Sequence, residues 1–247
     1  MKEILLGVTG SIAAYKAAEL ASKLTKKGYS VNVVMTEAAQ KFITPLTFET
    51  LTKHKVHTQL FDGNFEPNVH HISLAKRTDL ALIAPASADM IGKIANGIAD
   101  DMLSTTMLAL KDVPVLICPA MNTAMYENYF VQQNMKKLNE AGCIFLEPTE
   151  KLLACGEVGK GALVDIETIA GFVDGMLKNA SEHTHDVYAN VGKEENSEVH
   201  EAAGKADDMA ELDLEEIARA EAEKAAENFE KKLPKTIDLS GLEIPED

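Results

Sequence analysis

The chain has 247 residues, 46% of them hydrophobic, which is enough for one domain with a sizeable core plus an appendage. Its formal charge of −15 is uneven, because residues 1–179 contain 17 basic and 19 acidic side chains while residues 180–247 contain 7 and 20. A near-neutral body with an anionic tail argues against a nucleic-acid partner, since phosphate backbones require a basic surface.

Three cysteines without a close pair favour neither a disulfide framework nor a zinc site, and we expect a reducing, cytoplasmic location. The start of the chain lacks the features of a signal peptide, and no apolar stretch approaches the roughly 20 residues that cross a bilayer. We therefore expect no membrane partner, and the spacing of the cysteines leads us to expect no bound metal.

The first 179 residues alternate short apolar runs with longer amphipathic stretches, a pattern typical of βαβ units. The predicted strands are Ile4–Val8, Ser30–Met35, Leu80–Ala84, Val113–Cys118 and Cys143–Leu146. The predicted helices are Ala13–Lys27, closed by Gly28, then Ile91–Leu110, and Val131–Ala141, closed by Gly142. This order predicts an α/β fold with a Rossmann-like, doubly wound parallel sheet in a three-layer sandwich, whose ligands bind at the carboxyl ends of the strands.

The composition changes at Ala180, so we expect one domain over residues 1–179 and an acidic tail over residues 180–247. Ser181–Gly204 has no apolar periodicity, which predicts disorder. Asp207–Lys232 is rich in Ala, Glu and Lys and predicts a charged helix that ends before Pro234.

The turn after the first strand places small residues, among them Gly10, Ser11 and Ile12, where backbone amides and a helix N-terminus could hold a phosphate. Its spacing matches neither a dinucleotide fingerprint nor a Walker loop, so a mononucleotide fits better, and an ordinary tight turn is the alternative. Thr36 and Ser87 follow the second and third strands and could donate hydroxyls to the same ligand.

Two further segments have polar side chains at the predicted binding edge. His70 and His71 precede a helix predicted to begin near Ile72, where a histidine can act as a base, although solvated loop histidines are the simpler alternative. Asn122 lies in the Pro119–Met125 segment directly after the fourth strand, where its amide can donate to a carboxylate. The alternative is an asparagine helix cap beside two core methionines.

Ala154–Gly161 is a glycine-punctuated segment that we expect to be too flexible for a regular element and able to close over a ligand. Its thiol, Cys155, is mostly protonated at neutral pH and could donate a proton, or it could be an incidental exposed cysteine. Cys118 and Cys143 belong to strands, which predicts core packing.

Together these segments resemble the homo-oligomeric flavin-containing cysteine decarboxylases over residues 1 to about 177. The resemblance rests on Gly10–Lys16, the His71–Ile72 pair, Ala84–Ala88, Asp101–Ser104, the Pro-Ala-Met-Asn-x-x-Met segment and the Ala-Cys-Gly-Glu loop. The catalytic histidine of that family directly precedes an isoleucine, which selects His71 over His70. Its substrate-binding asparagine falls on Asn122 and its active-site cysteine on Cys155.

The resemblance implies that FMN is the cofactor and that the protein forms a homotrimer or a dodecamer of trimers. The implied FMN contacts are Gly10, Ser11, Ile12, Thr36, Ser87, Ala88, Asp89, Met90 and Ala120, and the implied substrate contacts are Asn122, Met125, Leu152, Leu153 and Ala154. It also implies that the flavin oxidises a cysteinyl thiol to a thioaldehyde, that CO2 leaves to give an ene-thiolate, and that the electrons then return. His71 would assist the oxidation, Asn122 would orient the carboxylate, and Cys155 would supply the final proton.

The expected substrate is a small phosphorylated cysteine conjugate, and a precursor peptide with a C-terminal cysteine is the nearest alternative. A non-catalytic regulatory flavoprotein is a further alternative because some such relatives have acidic tails. Flavin prenyltransferases are more distant, since they share the fold but do not use this Asn and Cys pair. The tail is too short and polar to be the cysteine-ligating domain fused to many bacterial relatives, so we expect a separate ligase. Ala162 and Leu163 replace the basic residue that many relatives place after the glycine loop, which leaves the contact to the substrate phosphate open.

Overall fold

A computed structural model describes residues 1–61, 70–152 and 158–179. Its regular elements are β1 (Glu3–Val8), α1 (Ala14–Lys26), β2 (Ser30–Met35), α2 (Pro45–Thr52), α3 (His70–Arg77), β3 (Leu80–Ala86), α4 (Ala88–Ala95), α5 (Met102–Leu108), β4 (Val115–Pro119), α6 (Thr123–Tyr126), α7 (Tyr129–Glu140), β5 (Ile144–Phe145), β6 (Thr149–Leu152), β7 (Val158–Ala162) and α8 (Ile166–Asn179). A short 3-10 turn covers Ala39–Lys41. The disorder and the charged helix predicted for the acidic tail lie outside the described residues and stay predictions.

The five strands β1 to β5 form one parallel sheet in the order β2-β1-β3-β4-β5. Gly7 of β1 lies opposite Val34 of β2 and Ile83 of β3, so these strands end at a common edge. β1 and β3 are buried almost throughout because helices cover both faces of the sheet. The predicted α/β, doubly wound fold is confirmed.

Two layers of helices enclose the sheet. α1 places alanines and leucines at helical spacing on one stripe, and this stripe packs with α2 and α8 on the first face. Helices α3, α4, α5 and α7 supply Leu74, Met90, Leu103 and Leu138 to the core on the second face. Burying each such side chain contributes about 1.5–3 kcal/mol, so both faces stabilise the three-layer sandwich.

The single helix predicted for Ile91–Leu110 is wrong, because the structure has α4 and α5 with a turn between them. Gly97 in that turn has a φ of +67°, which glycine adopts without steric cost. Asp101 then starts α5 with a capping box: its carboxylate accepts from the Ser104 amide at 2.8 Å, and Ser104 Oγ accepts from the Asp101 amide at 3.1 Å. Lys93 of α4 pairs with Asp100 and Asp101, each at 3.0 Å, and holds the turn against the helix.

The prediction that Ala154–Gly161 forms no regular element is wrong for its second half. Residues 158–162 form β7, which pairs antiparallel with β6 in a hairpin whose connecting residues lie outside the described part. The glycines serve close packing, because a Cβ at Gly161 would overlap the carbonyl oxygen of Met121 and a Cβ at Gly159 would overlap the Thr123 hydroxyl. The Met121 amide also donates to the Gly161 carbonyl at 3.0 Å, which ties the hairpin to the segment after β4.

The outer side of β2 is partly covered by the chain that follows α2. The Met35 amide donates to the His57 carbonyl at 2.9 Å, and the His57 amide donates to the Val33 carbonyl at 3.0 Å. β5, at the opposite edge, has only two residues. Among the helices of the described ranges, none combines the length and apolar character needed to cross a membrane.

Candidate active site

A cleft of about 500 Å³ opens at the edge where β1, β3 and β4 end. This size lies within the range of small-molecule sites. Its walls come from the turn into α1, the start of α4, the segment after β4, and the end of β7: Gly10, Ser11, Ile12, Ala13, Tyr15, Lys16, Phe42, Ser87, Ala88, Ala120, Met121, Asn122, Met125, Gly161, Ala162 and Leu163. The carboxyl ends of the strands therefore form the site, as the sequence predicted.

Thr9 joins the first and third strand ends beneath the cleft. Its buried hydroxyl donates to the Pro85 carbonyl at 2.7 Å and accepts from the Ser87 amide at 2.8 Å. Gly10 follows directly, and a Cβ there would collide with Ala38. Only glycine therefore lets the turn after β1 approach Ala38, in the turn after β2, this closely. These contacts hold Gly10 and Ser87 side by side at the floor of the cleft.

Backbone amides supply the donors at that floor. The amides of Gly10 and Ile12 form no hydrogen bond with other described residues. The first turn of α4 also opens here, capped by Ser87, whose Oγ accepts from the Met90 amide at 3.3 Å. Helix N-termini with unsatisfied amides are favourable sites for phosphate, so the predicted phosphate cradle has its donors in place.

Several predicted cofactor residues fall in different surroundings. Ala88 and Ala120 line the cleft, whereas the Met90 side chain is fully buried in the core. Asp89 pairs with Lys93 at 3.6 Å, and Thr36 is not among the residues that line the cleft; its Oγ1 accepts from the Ala39 amide at 3.2 Å. Any role of Met90 toward a cofactor therefore falls to its backbone at the start of α4.

Asn122 lines the cleft and also caps a helix. Its Oδ1 accepts from the Ala124 amide at 2.9 Å, which begins α6. The helix-cap alternative is therefore right for Asn122, and of the two neighbouring methionines only Met121 packs against the core. Met121 and Met125 line the cleft, and Met125 is 49% exposed.

His71 lies in the first turn of α3, so the prediction that this helix starts near Ile72 was two residues late. It is half-buried and does not line the cleft, while the neighbouring His70 packs its ring 5.6 Å from that of His57. Leu153, Ala154 and Cys155 lie outside the described residues, as does the side chain of Leu152. Within one chain, the structure thus brings together the cofactor turns and Asn122 but not His71.

The sequence analysis missed several residues of the cleft wall. Lys16 lies in the first turn of α1, directly after the predicted phosphate turn, a position that could have indicated it. Phe42 reaches the wall from the turn after β2 and has no local signal. Cys118 and Cys143 lie in the core, where burial raises the pKa of Cys118 far above its usual range and that of Cys143 to about 11.

Comparisons with known proteins identify the family of the chain. A model of the Flavoprotein family matches residues 1–178. The chain belongs to the Flavoprotein family. It is 48% identical over 177 residues to a probable phosphopantothenoylcysteine decarboxylase of Streptococcus mutans, covering 71% of this chain and 99% of that protein. It is also 49% identical over 168 residues to the coenzyme A biosynthesis bifunctional protein CoaBC of Bacillus subtilis, covering 68% of this chain but only 41% of that relative.

Solved structures of related proteins share the fold of this chain. A PPC decarboxylase variant in complex with pantothenoylaminoethenethiol superposes with a TM-score of 0.65 and 30% identity, over 72% of this chain and 98% of that structure. The FMN-dependent cysteine decarboxylase SpaF gives a TM-score of 0.64 and 31% identity, over 73% and 98%.

The walls of the cleft suit a flavin mononucleotide. Gly10, Ile12 and the start of α4 line the cleft and offer neutral backbone amides, and no acidic side chain belongs to the described lining, so a phosphate meets no like charge. Most of the remaining lining is apolar, including Ile12 and Leu163, which suits the faces of an aromatic ring system.

Proposed function

We propose that this chain is an FMN-dependent phosphopantothenoylcysteine decarboxylase, a carboxy-lyase of coenzyme A biosynthesis. It would convert 4′-phosphopantothenoylcysteine into 4′-phosphopantetheine and CO2. The observation that carries the proposal is the position of Asn122, whose amide can donate to a carboxylate, on the wall of a cleft whose floor suits a flavin phosphate. The extensive identity to the Streptococcus mutans relative supports the choice of substrate.

FMN, when bound, supplies the two-electron acceptor for the cysteinyl thiol and afterwards returns the electrons. The floor amides and Ser11 and Ser87 would hold its phosphate. Because the Ala124 amide engages Oδ1 of Asn122, we assign the opposite end of that amide, Nδ2, as the donor that orients the substrate carboxylate.

His71 would assist removal of the thiol proton and the oxidation. Since it does not line the cleft of its own chain, we propose that it acts on the cleft of a neighbouring copy in a homotrimer or dodecamer. Apolar side chains around the cleft mouth support such an assembly, because Ile12, Tyr15 and Phe42 are 57%, 59% and 49% exposed. Ile72, directly beside His71, is 38% exposed and would be covered in the same contact.

Cys155, in the connection of the β6–β7 hairpin, would donate the proton that accompanies the return of electrons. We also propose a cytoplasmic location and a separate ligase chain that makes the substrate. A purified protein that couples cysteine to phosphopantothenate would contradict the separate ligase.

Incubation of the purified, yellow protein with 4′-phosphopantothenoylcysteine tests the proposal directly. Mass spectrometry should show a product lighter by one CO2, and a visible spectrum should show the flavin bands. A flavin-loaded protein that leaves this substrate unchanged refutes the substrate. If it instead decarboxylates a peptide ending in cysteine, the peptide alternative is correct.

Asn122→Asp separates binding from folding. Aspartate caps helices as well as asparagine does, so the thermal midpoint should stay unchanged. The new carboxylate repels the substrate carboxylate, and this repulsion can cost several kcal/mol in a site with little water, which would reduce kcat/KM by about 100-fold or more. Equal losses of stability and activity would instead indicate that Asn122 acts only as a cap.

His71→Asn and Cys155→Ser should fail at different steps. Loss of His71 should stop the oxidation, so no CO2 is released. Loss of Cys155 should allow CO2 release but stop the final reduction, so that the decarboxylated, oxidised intermediate accumulates. Normal product from Cys155→Ser would refute its role as proton donor.

A further inference from the structure

Thr9 is fully buried beneath the cleft and bonds to the turns that follow both β1 and β3. Its hydroxyl donates to the Pro85 carbonyl at 2.7 Å and accepts from the Ser87 amide at 2.8 Å. Its own carbonyl accepts from the Ser11 amide at 2.9 Å. One buried residue therefore holds the amides of Ser11 and Ser87, two serines that line the cleft.

The hydroxyl of Thr9 makes this link at a point where the sheet no longer joins the two strands. The regular pairing of β1 with β3 ends at Gly7 and Ile83, two residues before Thr9. The Thr9 amide also donates to the Pro85 carbonyl, but at 3.3 Å. Removing the hydroxyl alone would thus break the direct hydrogen bond between Thr9 and Ser87 and leave the pairing of the strands intact.

The hydroxyls of the two serines are both available as donors. Ser11 Oγ accepts from the Ala13 amide at 3.3 Å, and Ser87 Oγ accepts from the Met90 amide at 3.3 Å. A serine hydroxyl that accepts in this way still has its hydrogen to donate. Two such donors on adjacent turns suit an anion, provided that the turns keep a fixed spacing.

The proposed function, on which this inference rests, brings the phosphate of FMN to these turns. We propose that Thr9 is a positioning residue that keeps Ser11 and Ser87 at the spacing of one phosphate group. Its hydroxyl thereby determines the preference of the protein for FMN over riboflavin, which has the same ring system without the phosphate. Thr9 is fully buried and acts only through the two turns.

Valine is the informative replacement because it has the shape of threonine without the hydroxyl. In Thr9→Val the Ser87 amide loses its partner, so the turn after β3 is no longer tied to the turn after β1. Hydrogen bonds to a charged group are the stronger kind, and misplacing such donors should weaken FMN binding by about 10- to 100-fold. Riboflavin makes no phosphate contact, so its binding should weaken by about threefold or less.

The experiment titrates the full-length protein, freed of flavin by dialysis, with FMN and with riboflavin and follows flavin fluorescence. Wild type is compared with Thr9→Val, Thr9→Ser and Thr106→Val. Thr106 is the matched control, because its fully buried hydroxyl donates to the Met102 carbonyl at 2.6 Å and it does not line the cleft. Thr106→Val should lower the thermal midpoint and leave the ratio of the two flavin affinities unchanged, and Thr9→Ser should keep the preference for FMN.

Several results would overturn the role of Thr9. Equal weakening for both flavins in Thr9→Val would show a general loss of the cleft, and an unchanged affinity for FMN would show that the turns do not need the hydroxyl. A Thr9→Ser variant as weak as Thr9→Val would assign the effect to packing of the methyl group. If Thr9→Val does not fold, Thr9→Cys decides, since a thiol is a weak donor and acceptor. The full preference for FMN in that variant would refute the proposal.

Turnover separates this inference from the proposed function. A wild type that binds FMN tightly but decarboxylates nothing refutes the function, and the ratio of the two flavin affinities still decides the role of Thr9. A wild type that binds FMN and riboflavin equally refutes the role of Thr9, even if the enzyme is active.

Discussion

Replacing Gly161 by alanine tests whether the β6–β7 hairpin fixes the position of Asn122. The added methyl group would overlap the carbonyl oxygen of Met121 and lie 3.3 Å from its carbonyl carbon and 3.4 Å from the Thr123 amide nitrogen. These are backbone atoms on both sides of Asn122, so no side-chain rotation can relieve the overlap. Restoring van der Waals separation requires a backbone shift on the order of 1 Å.

This shift should have separate effects on stability and catalysis. Overpacking of a buried position costs about 1–3 kcal/mol, and the Met121 amide would also lose its 3.0 Å hydrogen bond to the Gly161 carbonyl. A displacement of about 1 Å in a substrate-positioning residue can lower the rate about 100-fold. We therefore expect a lower urea midpoint and a decrease in kcat/KM much larger than the change in folded fraction explains.

Two glycine variants serve as controls for Gly161→Ala. Gly171 is exposed on α8, and a methyl group added there would meet nothing within 4 Å, so Gly171→Ala should stabilise the protein by about 0.5–1 kcal/mol and keep full activity. Gly159→Ala meets only the Thr123 side chain and should have a smaller effect than Gly161→Ala. If Gly161→Ala has the same urea midpoint and the same kcat/KM as wild type, the hairpin does not position Asn122.

Two further predictions concern stability. Asp174 accepts from Lys27 at 2.6 Å and from Tyr29 at 2.8 Å, and the Lys27 contact lowers its pKa on folding. The contribution of Asp174 is thus fully present above the unfolded-state pKa near 4 and is lost as the pH falls through the lower folded-state value. Asp174→Asn should therefore cost about 0.5–1 kcal/mol in urea unfolding at pH 7 and little near pH 2, and a cost independent of pH would contradict this. Lys93→Met leaves three carboxylates without their shared cation and should lower the free energy of unfolding by about 1–2 kcal/mol. In calorimetry, adding Asp100→Asn to this variant should restore part of the lost stability. If the effects of the two substitutions are strictly additive, Lys93 and Asp100 are not coupled.

The sheet was predictable because its order depends on a local property, the alternation of apolar runs with amphipathic stretches. Ser30–Met35 was predicted to the residue, and the turn at Gly10 was identified because small residues directly follow the first strand, although an ordinary tight turn was the alternative. Asn122 could be placed at the binding edge for the same reason, since the carboxyl end of a parallel strand has a fixed position in the fold.

The errors occurred where contacts distant in sequence decide the local structure. Apolar residues at helical spacing continue across Gly97, so periodicity alone predicted one helix, although the capping box from Asp101 to Ser104 was a local signal that it missed. Gly159 and Gly161 suggested flexibility, but their small size serves the close approach to residues 121–123, which no local pattern shows. The choice of His71 over His70 rested on the resemblance alone, and the separation of His71 from the cleft is a property of the folded chain.

The cover that His57 provides along β2 restricts how copies of this protein can join. An open strand edge would let a second copy extend the sheet through main-chain hydrogen bonds. Here His57 already occupies the outer hydrogen-bonding groups of Val33 and Met35, and the two residues of β5 are too few to pair stably at the other edge. Association of copies through the two edges of the central sheet is therefore disfavoured, and contacts made by side chains on helices and loops can be altered by substitution without altering that sheet.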